Sequence, residues 1–125
     1  MWTWWFSCGS LLSAVGIGLG AFGAHALKGR LTPEDSAIFE TASRYLSTQS
    51  IGLIVISLCM SRMESAALKI AAAAIFIGIL IFSGTLFGIV GTGIRWLGAI
   101  TPIGGTLMIV GWLLAAYAAA KANLN

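Results

Sequence analysis

Charged residues interrupt this chain at long intervals, and the stretches between them are almost wholly apolar. None falls in residues 1–27, 45–61, 70–94 or 96–120. A helix that crosses a bilayer needs about 20 consecutive apolar residues, with roughly 17–25 usable. The four runs therefore predict four transmembrane helices, at 4–26, 45–61, 70–90 and 99–120. A membrane strand would alternate apolar and polar positions, and no such alternation occurs. The expected fold is all-α, an integral membrane bundle forming one domain over residues 1–125.

Aromatic side chains sharpen this placement. Trp2, Trp4 and Trp5 open the first span, and Tyr117 lies near the end of the fourth. Tyr45 opens the second, and Trp96 precedes the fourth. Four antiparallel crossings sort these residues into two belts, where amphipathic rings meet the headgroups.

The first span carries Gly9, Ser13, Gly16, Gly20 and Gly23 at steps of 4, 3, 4 and 3. That spacing puts five small residues on one helical face, where backbones of neighbouring membrane helices approach closely. Gly104, Gly105 and Gly111 extend the theme to the fourth span. Residues 18–23 also spell G-x-G-x-x-G, with Glu40 downstream. A dinucleotide site needs that motif between a strand and a helix, so within an apolar run it reads as helix packing. Ala24-His25-Ala26 has the form of a signal cleavage site. No Lys or Arg precedes it and the apolar stretch is too long for a signal, so the first span is expected to be retained.

Residues 28–36 form the one clearly polar loop. Thr32 is placed to cap a helix that Pro33 begins, and Glu34 and Asp35 suit its positive end. Residues 33–44 then form an amphipathic start that leads into the second span. Glu40 and Arg44 stand i, i+4 in the favourable order.

Composition agrees with a lipid environment. Of the 125 residues, 58% are hydrophobic and 9% charged, and the mean hydropathy is +0.96. A soluble domain carries about a quarter charged residues, which excludes an ordinary water-soluble enzyme. The net charge of +3 comes from scattered Lys and Arg residues, so no basic stripe exists to bind nucleic acid. The positive-inside rule gives no firm orientation: Arg62, Lys69 and Lys121 flank one side, and Lys28, Arg30, Arg44 and Arg95 the other. Offsetting Arg44 by Glu40 tips the balance toward both termini in the cytoplasm.

Few groups could perform chemistry. There is one histidine, His25, and two cysteines, Cys8 and Cys59, in different spans. These supply neither a converging metal set nor a nucleophile with its base. No metal, cofactor or enzymatic activity is expected. Ionisable residues at membrane depth are functional candidates by default. Those nearest are His25, Glu40 and Arg44, all at one surface. With Tyr45, Gln49, Ser83 and Thr101 they form a candidate polar network there, whose simpler reading is a boundary network locking the first two helices.

Several segments resemble one family. Gly20-Ala21-Phe22-Gly23-Ala24-His25-Ala26-Leu27 comes first, then Phe39-Glu40-Thr41-Ala42 with Arg44-Tyr45. Phe82-Ser83-Gly84-Thr85-Leu86 follows, then Thr101-Pro102-Ile103-Gly104-Gly105 with Gly111-Trp112. In order and content these are similar to the family known as domain of unknown function 423, small proteins of the bacterial inner membrane with relatives in eukaryotes. The resemblance implies a four-helix multi-pass protein and names no activity. The chain departs from the family at two positions, where a usual glutamine and histidine are Leu46 and Gln49.

Two functions compete. The favoured one is a structural or accessory component, packing with itself or with a larger membrane complex. The alternative is a small oligomeric transporter or channel using the polar cluster. Small multidrug exporters of similar size carry a membrane-embedded carboxylate in their first helix, which this first span lacks.

Overall fold

A computed structural model describes residues 1–122. The described chain holds four long helices and no strand. Helix α1 spans Trp2–Ala26, α2 Pro33–Met60, α3 Ala66–Thr92 and α4 Thr101–Ala122. A 3₁₀ turn, Arg95–Ala99, leads into α4.

The ends of these helices follow from local chemistry. Thr32 accepts a hydrogen bond from the Asp35 amide at 3.1 Å and Pro33 occupies the first turn, so α2 starts where the sequence placed it. Ser65 caps α3 through the Leu68 amide, which starts that helix four residues ahead of the expected boundary at 70. Gly93, at φ 75°, ends it in the left-handed region that glycine enters without steric cost.

Three stretches are long and apolar enough to cross a membrane: Trp2–Ala26, Ala66–Thr92 and Arg95–Ala122. Helix α2 is the exception. It is 28 residues long, but its middle carries Ser43, Arg44, Thr48, Gln49 and Ser50, which dilute the apolar run that follows.

The helices pack in chain order, α1 on α2, α2 on α3 and α3 on α4, the last seam being the most extensive. Each pair is antiparallel: Gly9 faces Ser50 and Ile54, while Gly23 faces Phe39. Trp2 consequently shares one end of the bundle with Met60–Lys69, and Tyr117 and Lys121 lie there too. Asp35 and Arg95 meet at the opposite end. Leu53, Ile75 and Ile79 are fully buried where α2, α3 and α4 converge.

Glycines set the closeness of these seams. A methyl group on Gly104 would stand 2.5 Å from the Phe82 amide nitrogen and 2.7 Å from the Gly78 carbonyl oxygen. On Gly111 it would stand 2.6 Å from Ile75, and on Gly9 2.7 Å from Ile54. Gly16 is nearly as tight against Ser47. Gly20 and Gly105 are not close approaches: a methyl group there meets its nearest neighbour at 3.9 and 3.6 Å, ordinary contact distances.

One local feature departs from the regular helix expected through Ala26. Residues Gly18–Gly23 form a π-helical segment within α1. Such wide turns are rare and concentrate at functional sites.

Candidate functional site

The end of the bundle that holds the 28–36 loop gathers most of the polar candidates. They sort into two layers by depth.

The outer layer is exposed. Here α1 ends in its π-helical turn, and the following loop folds back over the start of α2. The result is a cleft of about 360 Å³ lined by Gly20, Lys28, Ser36, Phe39, Glu40 and Ser43, among others. His25 is exposed on the last turn of α1. Glu40 is exposed as well, and the expected Glu40–Arg44 ion pair does not form. Arg44 instead lies over the Tyr45 ring, 6.0 Å from its centroid. Among the described residues, the ion pair present joins Asp35 Oδ1 to Arg95 Nη1 at 2.8 Å. The pair ties the first turn of α2 to the turn before α4.

The inner layer is made of hydroxyls. Ser83 is buried, and its Oγ donates to the Ala42 carbonyl at 3.0 Å, joining α3 to α2. Thr101 and Thr85 share a hydrogen bond of 2.6 Å between α4 and α3. Ser13 Oγ donates to Ser50 Oγ at 3.1 Å, joining α1 to α2. One hydroxyl stands apart: Ser43 Oγ is buried with no hydrogen-bond partner among the described residues. The Tyr45 ring packs edge-on to Phe82 with centroids 5.0 Å apart.

The candidates thus do not form one network. Arg44 and Tyr45 are neighbours, Ser83 reaches the α2 backbone beside them, Thr101 bonds elsewhere, and His25 and Glu40 stay at the surface. Sequence reasoning missed two partnerships. Trp112 Nε1 donates to Gln49 Oε1 at 2.6 Å, and the indole lies on Gly52, where a methyl group would approach Trp112 to 2.5 Å. Gly78 supplies the close approach to Gly104. The signal for the first was a tryptophan in mid-span, whose N–H needs an acceptor where no water is at hand.

What these groups can do is hold helices together. Hydroxyls directed at carbonyls contribute about 0.6 kcal/mol each in a membrane. Among the described residues, no three His, Cys, Asp or Glu side chains come together as a metal set would.

The profile of the family described as "Protein of unknown function (DUF423)" matches residues 19–105. The chain belongs to this family. A UPF0382 membrane protein of Staphylococcus epidermidis is 43% identical over 113 residues, covering 90% of this chain and 92% of that protein. One of Staphylococcus haemolyticus is 42% identical over 106 residues, covering 85% and 86%. The UPF0382 membrane protein YwdK of Bacillus subtilis is 34% identical over 114 residues, covering 90% and 93%. No solved structure matches the chain. This DUF423 chain is therefore a membrane protein, and the bilayer is the solvent of its apolar helices.

Proposed function

We propose that the chain crosses the bacterial inner membrane four times, with both termini in the cytoplasm. It serves there as a non-catalytic accessory protein that packs against further copies of itself. The observation that carries this reading is a second small-residue stripe on α1. Thr3, Ser7, Ser10, Ala14, Gly18 and Ala21 recur at steps of 4, 3, 4, 4 and 3, on the side away from α2. Each is exposed or half-exposed, and no side chain comes within 4 Å of where a methyl group on Gly18 would sit. The opposite face of α1, through Gly9 and Gly16, is already occupied by α2. Lipid tails give no hydrophobic drive for helix association, so small residues that permit close backbones are the usual basis for it.

The second crossing is supported by antiparallel packing on both sides. A helix held against two apolar spans hides its serines between them and needs less apolarity of its own. Ser50 and Ser57 of α2, both fully buried, are used in this way, each bonded to a carbonyl of its own helix.

The test uses full-length protein in vesicles, with Cys8 and Cys59 replaced by serine. A cysteine at position 10 should cross-link to its own copy, and Ala14→Leu with Gly18→Leu should abolish the dimer without unfolding the chain. Cysteines at positions 36 and 61 should label from opposite sides. A monomer under all conditions would remove the packing role, and same-side labelling would remove the second crossing.

A further inference from the structure

Helices α2 and α4 both rest on α3, and the furrow between them opens toward lipid. Trp112 divides it. On one side is a chamber of about 480 Å³ whose walls include Tyr45, Gln49, Phe82, Met108 and Ile109. On the other is a chamber of about 310 Å³, lined by Val55, Ile56, Cys59, Leu68 and alanines of α4, with almost no polar surface. Trp112 lines both.

Besides the Tyr45 hydroxyl, the first chamber contains one polar feature that packing does not use. An indole nitrogen only donates, so its 2.6 Å bond to Gln49 commits the carboxamide oxygen. The two N–H donors of the same carboxamide are left over, among aromatic and aliphatic walls. They call for an acceptor without charge, such as a carbonyl. The rings of Tyr45 and Phe82, 5.0 Å apart, and the indole give flat walls suited to a planar conjugated group.

The second chamber selects for length. From Tyr45 to Cys59 the furrow follows α2 for about 21 Å at 1.5 Å per residue. Half of the hydrocarbon core is about 15 Å. A phospholipid chain is confined to its own half, whereas this furrow passes the midplane.

We propose that the furrow binds an isoprenoid quinone, with a ring carbonyl on the Gln49 carboxamide and the tail past Trp112 into the apolar chamber. The proposal concerns binding alone and rests on the four-crossing reading, which places Gln49 one turn below the Tyr45 belt. A polyprenyl phosphate shares the tail but brings an anion that the neutral carboxamide does not balance.

The experiment uses full-length protein in lipid nanodiscs, with Trp2, Trp4, Trp5 and Trp96 changed to phenylalanine so that Trp112 reports alone. Titrated phylloquinone should quench it saturably. Menadione, which has the ring without the tail, should bind at least tenfold more weakly. Gln49→Leu should weaken phylloquinone binding at least tenfold. Ile109→Phe, at a position 63% exposed and therefore harmless to the fold, should obstruct the chamber to a similar degree. Decaprenyl phosphate should not compete. Quenching that rises linearly without saturation, that both variants leave unchanged, or that decaprenyl phosphate displaces overturns the proposal. Opposite-side labelling of positions 36 and 61 in company with any of those results sinks the quinone site while leaving the crossings intact.

Discussion

The α3–α4 seam and the α1–α2 seam are both lined by small residues, but they are built differently. Between α3 and α4, Gly78, Gly104 and Gly111 bring backbone against backbone, with nothing polar in the middle of the contact. Between α1 and α2, Gly9 and Gly16 make the close approach, and a hydroxyl pair, Ser13 and Ser50, bonds beside them. The contact then loosens toward the π-helical segment, where Gly20 has room and a cleft opens. In lipid, close fit alone can hold one pair of helices, while another retains polar groups and space. The first seam is the rigid element and the second the adaptable one.

The most severe way to break that comparison is Gly104→Leu. Its β-carbon has the Phe82 backbone as a neighbour, and backbone cannot swing aside as a side chain can. The helices must separate, and a loss of about 3 kcal/mol is expected, read as a lower midpoint of reversible unfolding in mixed detergent micelles. Gly20→Ala tests the other seam. With 3.9 Å to its nearest neighbour, it should be tolerated and should gain up to about 1 kcal/mol from the better helix former. Equal losses at the two positions would show that both seams are rigid.

Hydroxyls extend the comparison to the α2–α3 contact and to the cleft end of the α1–α2 seam. Ser83→Ala removes the bond to the Ala42 carbonyl from a buried site and should cost about 0.6 kcal/mol. Ser43→Ala removes a hydroxyl that is buried without a partner and should be neutral or slightly stabilising. A loss at Ser43 as large as that at Ser83 would mean that the cleft end holds a bonded group after all.

The parts of the molecule legible in the sequence were those governed by short-range rules. Thr32, Pro33 and Asp35 define a helix start within four residues. The 4, 3, 4, 3 spacing in α1 located the glycines against α2, although Gly20 gained no close neighbour because the helix widens there. The π-helical segment was not legible: its three glycines fit an ordinary helix equally well, and the choice depends on how α1 sits against α2. Nor were Gly52 under Trp112 or Gly78 beside Gly104, because no local pattern aligns residues from separate helices. The candidate site was the least legible. Residues at a similar expected depth were grouped as one network, but depth alone does not determine direction around a helix axis. Ser83 and Thr101 turned to different partners.

The ion pair gives the smallest expected effect and the sharpest contrast with local reasoning. Spacing along α2 favoured Glu40 with Arg44, yet the pair that forms joins Asp35 to a residue 60 positions away. The i, i+4 bond is worth only a few tenths of a kcal/mol to an isolated helix, so a cation–π contact with Tyr45 is enough to draw Arg44 off. The Asp35–Arg95 bond is itself half-exposed, with 52% of the arginine side chain accessible. Water and salt screen such a pair, and many like it contribute nothing measurable. Asp35→Asn should therefore leave the unfolding midpoint unchanged in 1 M salt, where the screening length is about 3 Å. It should shift it only slightly at low salt. A large, salt-independent loss would instead mean that the turn before α4 depends on this carboxylate for its position, making the surface loops, and not the glycine seam, the element that aligns α4.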